Sequence, residues 1–532
     1  MKKKWLSLLL VGVMALSVAL SGCGGSGGSG GNGGGASDET GAAPAGGGED
    51  AAAAEDSHLD FGIYWFGDDL DPGNGWNGWT LTRAAVGETL VTVDENLNFV
   101  GQIADEWSVD DDQVTWRFHI RDGVTFQNGN VCDAEAVVGS IQRSLEVNER
   151  GQTNLKLASV EADGEWVVFT TEEPYGAFLA NLTEPLFVIV DTSVDTSDYG
   201  NHPICTGAYM VTDFEPEVSF DAVAYDGYWG GTPGFESITC YNIPDDNSRA
   251  SALQSGELDM MQRVAATDLS LFEGNDDYEV QMATGTRVQF LFMNTQAAPF
   301  DDENIRHAFN AAMNYDAIAG AIGGGLTGVG SPFPPSASFF GSLNRDTYDP
   351  DACAEYLAAA GYTETDDEGY VVNAAGERLV CHILMSESTP LAEMVQHWAK
   401  ECGIDVEITL AENVSDTRNA GDFELVFANW QTLSTGDPQW FLDQVFKTGA
   451  TDNYSGYSNA ELDALIEQLT TTFDADERMN IAGQASQIII DEAFGCFLVD
   501  VTNINVCHSN VENMSTFPID YYFLTPQTTF AQ

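Results

Sequence analysis

From Gly24 to Ser57 the chain is built almost wholly of Gly, Ala, Ser and acid (GGSGGSGGNGGGASDETGAAPAGGGEDAAAAEDS), without one aromatic or branched aliphatic residue. Such a segment has no apolar surface to set against the entropy of ordering it. Whatever folds therefore begins near His58 and runs to Gln532. At ~150 residues per domain that length makes two or three domains, each large enough for its own core. The chain carries 83 Asp and Glu against 19 Lys and Arg, a formal charge of -64, yet 43% of it is hydrophobic, which excludes a disordered polyanion. So few cations exclude the basic stripe that nucleic acid needs, and argue against anionic headgroups as a surface for the folded part.

Ahead of that tract, Lys2–Lys4 precede an apolar run of 16 residues, Trp5–Leu20, short of the ~20 a spanning helix needs. It reads as an export signal. Leu20-Ser21-Gly22-Cys23 resembles the lipobox of bacterial lipoproteins, which implies cleavage before Cys23 and a diacylglyceryl group on its sulfur. Residues 1–22 are then a signal peptide and 23–57 a lipidated cysteine with a tether that holds the fold ~30 Å from its anchor. No second apolar run approaches spanning length, so the membrane is expected to be met through the lipid on Cys23 only. The expected location is the outer face of a bacterial cytoplasmic membrane.

The rest reads as mixed α/β. His58–Phe66 is an aromatic-rich strand, and residues 114–120 (VTWRFHI) alternate as a half-buried antiparallel strand does. Asp133 caps a helix running to about Leu145 that presents Val137, Val138, Ile141 and Leu145. Asp349-Pro350 opens a helix that Gly361 closes. Ser458 with Glu461, and Asp474 with Glu477, have the spacing of capping boxes. Leu391–Cys402, ended by Gly403, precedes a strand over 404–410.

In order along the chain stand Gly87-Glu88-Thr89-Leu90, Ile103-Ala104-Asp105-Glu106-Trp107, VTWRFHIRDGVTF over 114–126, Thr206-Gly207-Ala208-Tyr209, Tyr228-Trp229-Gly230, ALQSGELD over 252–259, Phe292-Met293-Asn294-Thr295, Ile305-Arg306-His307-Ala308-Phe309, and the 430–438 segment. Together they resemble the family 5 extracellular solute-binding proteins, the large peptide- and nickel-binding components of ABC importers, over nearly all of 58–532. The resemblance implies a bilobal, periplasmic-binding-protein-like clamp of type II, in the large subclass with an extra domain. It implies a first lobe from 58–92, 204–288 and 508–532, an accessory domain from 93–203, and a second lobe from 289–507. The crossings would be Val288–Asn294 and Phe497–Val506. It also implies a monomer that delivers its solute to a permease and ATPase complex.

Catalytic constellations are largely missing. There is no HExxH, CxxC or GxxxxGK, and GxSxG occurs only in the tether, as at Gly24-Gly25-Ser26-Gly27-Gly28, which cannot hold a nucleophile elbow. No cofactor and no metal is expected. His382 beside Cys381 and His397 near Cys402 match no zinc spacing, and Asp366-Asp367-Glu368-Gly369 reads as a solvated turn. Apart from Cys23 there are eight cysteines. Export permits disulfides, for which Cys205 with Cys240 and Cys496 with Cys507 are the least strained pairs; buried free thiols are the other reading.

The cleft residues follow from the resemblance and from side-chain chemistry. The loop 67–79 (GDDLDPGNGWNGW) sets Trp76 and Trp79 among Gly and Asn, where they pack either on a ligand or on their own lobe. Trp65, at the strand end, and Asp68 and Asp69 accompany them. Opposite, the strand 423–430 points Trp430 and the loop 431–438 toward the cleft, with Gln431, Ser434 and Asp437. Peptide-binding relatives carry in this loop an aspartate for the α-ammonium; Leu433 or Ser434 stands there instead. Arg287 and Arg418 are candidates for a ligand carboxylate, with an internal salt bridge as the competing role. The expected ligand is an oligopeptide, held by main-chain hydrogen bonds. The alternatives are an oligosaccharide on the indoles, a nickel chelate, or, in another class, a secreted hydrolase.

Overall fold

The computed structural model describes residues 57–531. The expected signal peptide, Cys23 and the expected tether up to residue 56 lie outside them.

Two long strands, Tyr278–Met293 and Gly495–His508, pair antiparallel and form the centre of a ten-stranded sheet. Leu425–Gln431 adds antiparallel to the first, followed by Val380–Met385 and Asp405–Leu410 in parallel. On the other side, Met260–Met261 joins the second long strand, followed by His58–Ile63, Ser237–Asn242, Ser219–Ala224 and Tyr209–Glu215. The register of the long pair slips between Thr284 and Arg287. Before the slip, Tyr278–Thr284 is largely open to solvent. After it, Val288 and Phe290–Met293 are buried on both faces, as an apolar run covered by helices must be, and Gln289 is half-buried. Gly285 lies in the slip because a Cβ there would stand 2.1 Å from the Val501 carbonyl oxygen.

A separate four-stranded antiparallel sheet is ordered Ala104–Val109, Thr115–Ile120, Trp166–Thr171, Leu157–Asp163. The alternation read at 114–120 turns Trp116, Phe118 and Ile120 inward. Helix Ala134–Val147, capped by Asp133 accepting from the Ala136 N–H at 3.0 Å, buries Val137 and Ile141 in the same core. Val138 and Leu145, also expected on that face, are only half-buried.

Helix Pro350–Ala359 has Asp349 as its cap, and Ala475–Asp491 has Asp474. Helix Ala460–Thr470 starts one residue later than expected: Asn459, not Ser458, caps it, its Oδ1 accepting from the Glu461 and Leu462 N–H groups at 2.9 and 3.0 Å. The Ser458 hydroxyl instead accepts from Thr448. The first strand stops at Ile63, short of Phe66.

The eight cysteines of the described residues are all unpaired, so neither expected disulfide forms. Cys205 and Cys240 pack as small apolar groups in one core, Cys496 in another, and Cys507 beside the first two. His382 lies against Glu424 at 3.0 Å, and no cluster of three metal-binding side chains occurs among the described residues. Asp366 accepts from the Glu368 and Tyr370 N–H groups in a tight turn.

Candidate ligand cleft

A cavity of about 570 Å³ opens where the loop 67–79, the segments around Glu149–Leu155 and 181–184, and the strand end Leu425–Gln431 with its following loop converge. Its first wall is aromatic. Trp79 packs on Trp76 at 5.2 Å and on Tyr521 at 4.9 Å, and its indole N–H donates to Glu184 Oε1 at 3.2 Å. The Arg150 guanidinium lies 3.3 Å from the Trp76 ring centroid. Asn148 sets that position by capping the helix Glu149–Leu155. Across the cavity, Trp430 and Trp440 lie 6.2 Å apart at 37°. Trp430 is held edge-on by Phe292 on the neighbouring strand.

Arg150 and Arg287 are the two cations of the lining, but they are not equivalent. Arg287 is 3.4 Å from Asp520, which also lies 3.7 Å from Arg83 and accepts from the Tyr64 hydroxyl at 2.7 Å. Burial would raise the Asp520 carboxyl; Arg287 and Arg83 override it and hold the group down to about 2. Arg287 is therefore largely neutralised in place. Arg150 has a weaker partner, Glu184 at 3.9 Å, whose acidity burial reduces. Burial also lowers the pKa of Arg150, and its Nη1 has no hydrogen-bond partner. Thr435 Oγ1, in the lining as well, is likewise buried and unpartnered. Buried polar groups are nearly always satisfied, so two unpaired ones in one cavity mark where a ligand would bond.

Of the residues anticipated from sequence, Trp76, Trp79, Arg287, Trp430, Gln431 and Ser434 come together on this cavity. The other five lie off it. Trp65 stands edge-on behind Trp79 at 6.2 Å. Asp68 is exposed, and Asp69 ties its own loop, accepting from the Asp71 N–H and the Asn74 and Asn77 amides. Asp437 is buried beneath the loop, where Arg478 grips both its oxygens at 2.7 Å. Arg418 stacks over Tyr454 at 4.1 Å. Arg150, Glu184, Trp440, Asp452 and Tyr521 were missed. Arg150 had one usable signal, an arginine just inside a capped helix in a chain with few cations; the rest are placed by tertiary packing.

Outside the cavity lining, the Gly176 N–H donates to Thr470 O at 2.8 Å and Trp116 packs on Phe473. A Cβ on Gly176 would come within 2.1 Å of Thr472 O, so this approach needs glycine.

The sequence profile of the bacterial extracellular solute-binding proteins, family 5 (middle region), matches residues 98–453. The chain belongs to this family. Among its relatives, the glutathione-binding protein GsiB of Shigella dysenteriae is 26% identical over 462 residues, covering 83% of this chain and 87% of that protein. Among solved structures, the nickel ABC transporter protein from Bacillus halodurans is 29% identical with a TM-score of 0.77, over 89% of this chain and 99% of that one. NikA from Brucella suis, solved with Fe(III)-EDTA, has a TM-score of 0.81 at 24% identity, over 90% of this chain and 100% of its own. The fold is the bilobal clamp of periplasmic binding proteins, and this family 5 protein is a solute-binding component of an ABC importer, exported from the cytoplasm.

Proposed function

We propose that this protein, anchored through a lipid on Cys23, captures a short zwitterionic peptide in the 570 Å³ cavity and passes it to a permease. The cavity is in the usual range for small solutes, ~300–1,000 Å³, which suits a few residues rather than a long chain. One observation carries the reading: a single under-paired guanidinium, Arg150, shares the cavity with the carboxylates of Glu149, Glu184 and Asp452. A carboxylate at Arg150 and an ammonium near Asp452 complement both signs of a peptide's termini. Asp452 then takes the role that Leu433 or Ser434 cannot fill. Charge-assisted bonds of this kind are worth ~1.5 to 3 kcal/mol each. The indoles offer flat apolar surface for side chains without prescribing them. The proposed lobes are 58–92 with 204–288 and 508–532, the accessory 93–203, and 289–507, pivoting at the register slip of the long strands.

A nickel chelate is the second reading, favoured by the chain's similarity to nickel-binding proteins. No His or Cys lines the cavity among the described residues, so nickel would have to arrive with its own chelator. Thermal shift over free tripeptides, glutathione, their N-acetylated and C-amidated forms, and nickel–histidine separates the readings. Free peptides should raise Tm, and blocking either terminus should reduce the rise at least tenfold in affinity. A response confined to the chelate would overturn the peptide reading.

A further inference from the structure

Asp452, on the cavity wall, is a carboxylate that is held without being neutralised. Its backbone is fixed first. The Asp452 N–H donates to Gln444 O at 3.2 Å, the Tyr454 N–H to Asp452 O at 2.8 Å, and the Asn453 side-chain amide to Lys447 O and Tyr457 O. The Tyr454 hydroxyl then donates to Asp452 Oδ1 at 2.6 Å, while Oδ2 has no protein partner among the described residues. Tyr454 does not line the cavity, and its ring is clamped from behind. Phe292 and Trp430 meet it edge-on at 5.4 and 6.5 Å, and the Arg418 guanidinium covers it at 4.1 Å. Burial and the Asp452 bond push the phenol up to about 12, so it keeps its proton and stays a donor.

The other carboxylates in and around the cavity are differently placed. Arg478 grips Asp437, Arg287 lies against Asp520, and Glu184 sits 3.9 Å from Arg150. A guanidinium cancels the charge of the carboxylate it orients; a neutral hydroxyl orients one and leaves its charge for a solute. We propose that Tyr454 is the positioning residue for amine recognition: it pins Oδ1 of Asp452 so that Oδ2 receives the solute's ammonium, with Arg418 and Trp430 holding Tyr454 in place. The inference rests on the peptide reading above. A carboxylate ordered beforehand loses no rotamer freedom when the ammonium arrives, which favours binding. The Arg418 charge favours loss of the hydroxyl proton, and so strengthens the bond to Asp452.

Calorimetric titration of wild type and Tyr454→Phe with trialanine, its N-acetyl form and its C-terminal amide tests the role. Phe keeps the ring on which Arg418 and Trp430 pack, so only the hydroxyl is lost. Wild type should prefer trialanine over the acetylated form at least tenfold, as expected of a charge-assisted bond. The variant should bind trialanine and its amide about fivefold more weakly, the effect of one hydrogen bond, and the acetylated form as wild type does. In an Asp452→Asn background, Tyr454→Phe should change nothing further. An equal loss for all three ligands would make Tyr454 a packing residue and overturn the inference; so would an amine preference equal to that of wild type, or a further loss in the Asp452→Asn background. Wild type that binds the acetylated form as well as the free one, or binds none of the three, overturns the peptide reading and this inference with it.

Discussion

Glu88 is 3% exposed and accepts three hydrogen bonds, from Thr206 and Trp229 on Oε2 and from Tyr228 on Oε1. Burial pushes its pKa up to about 7 despite those donors. The folded value lies above the ~4.3 of an unfolded glutamate, so between the two the native state binds more protons and stability falls as pH rises. Asp346, pushed up to about 8 by burial, acts in the same direction. Asp520 acts oppositely: held near 2, it contributes stability above ~4 that is lost as pH falls toward 2. Glu88→Gln keeps an oxygen for Thr206 and Trp229 and turns its amide to the Tyr228 hydroxyl, which can accept. Urea unfolding at pH 5 and pH 8 should show the variant gaining ~2–3 kcal/mol on wild type between the two. An unchanged difference would mean that Glu88 does not titrate there. At this scale the sequence showed which side chains like a cleft and concealed which were already spoken for. Trp76, Trp79 and Trp430 have apolar faces that must cover something. Asp437 looked equally available until Arg478, 41 positions along, took both its oxygens.

Local signals placed most elements, because caps and alternation are short-range physics. Asp133, Asp349 and Asp474 each cap the helix read for them. The one-residue error at Ser458 has a local cause too, since the neighbouring Asn459 offers a carbonyl oxygen that reaches two N–H groups at once. The accessory sheet was legible only through its alternating strand, as its other strands are recruited by pairing with it. The register slip at Gly285 was not legible at all, because it depends on the Val501 carbonyl more than 200 residues away. Gly285→Ala should cost ~1–3 kcal/mol, since the obstructing atom is backbone and cannot rotate aside. Gly320→Ala is the control: it lies in helix Tyr315–Ile322 with nothing within 4 Å, so alanine should add up to ~1 kcal/mol. Equal effects in denaturant titration would show that the close approach is not what holds Gly285.

One ten-stranded sheet runs through the fold, and in the proposed lobe division the chain crosses between the halves along its two long central strands. A sheet interrupted at its centre can bend there while each half stays rigid, which is why the slip between Thr284 and Arg287 is the proposed pivot. A ligand closes such a clamp only by binding the closed form better; moving from 1:99 to 99:1 takes ~5.5 kcal/mol of preference. The cavity can supply this, because Trp76, Trp79 and Arg150 lie on one wall and Trp430 and Trp440 on the other, and only a closed clamp lets one solute touch both. Two signals should therefore move together when a binding peptide is added: the radius of gyration falls in small-angle scattering, and tryptophan emission shifts as the indoles lose water. Trp430→Phe should weaken binding about tenfold, in line with ~1–3 kcal/mol for a lost aromatic contact at a buried site. It should leave the radius of gyration at saturation unchanged, because Phe still covers the wall. Emission that shifts at constant radius would place the ligand on one wall alone and remove the clamp from the account of binding.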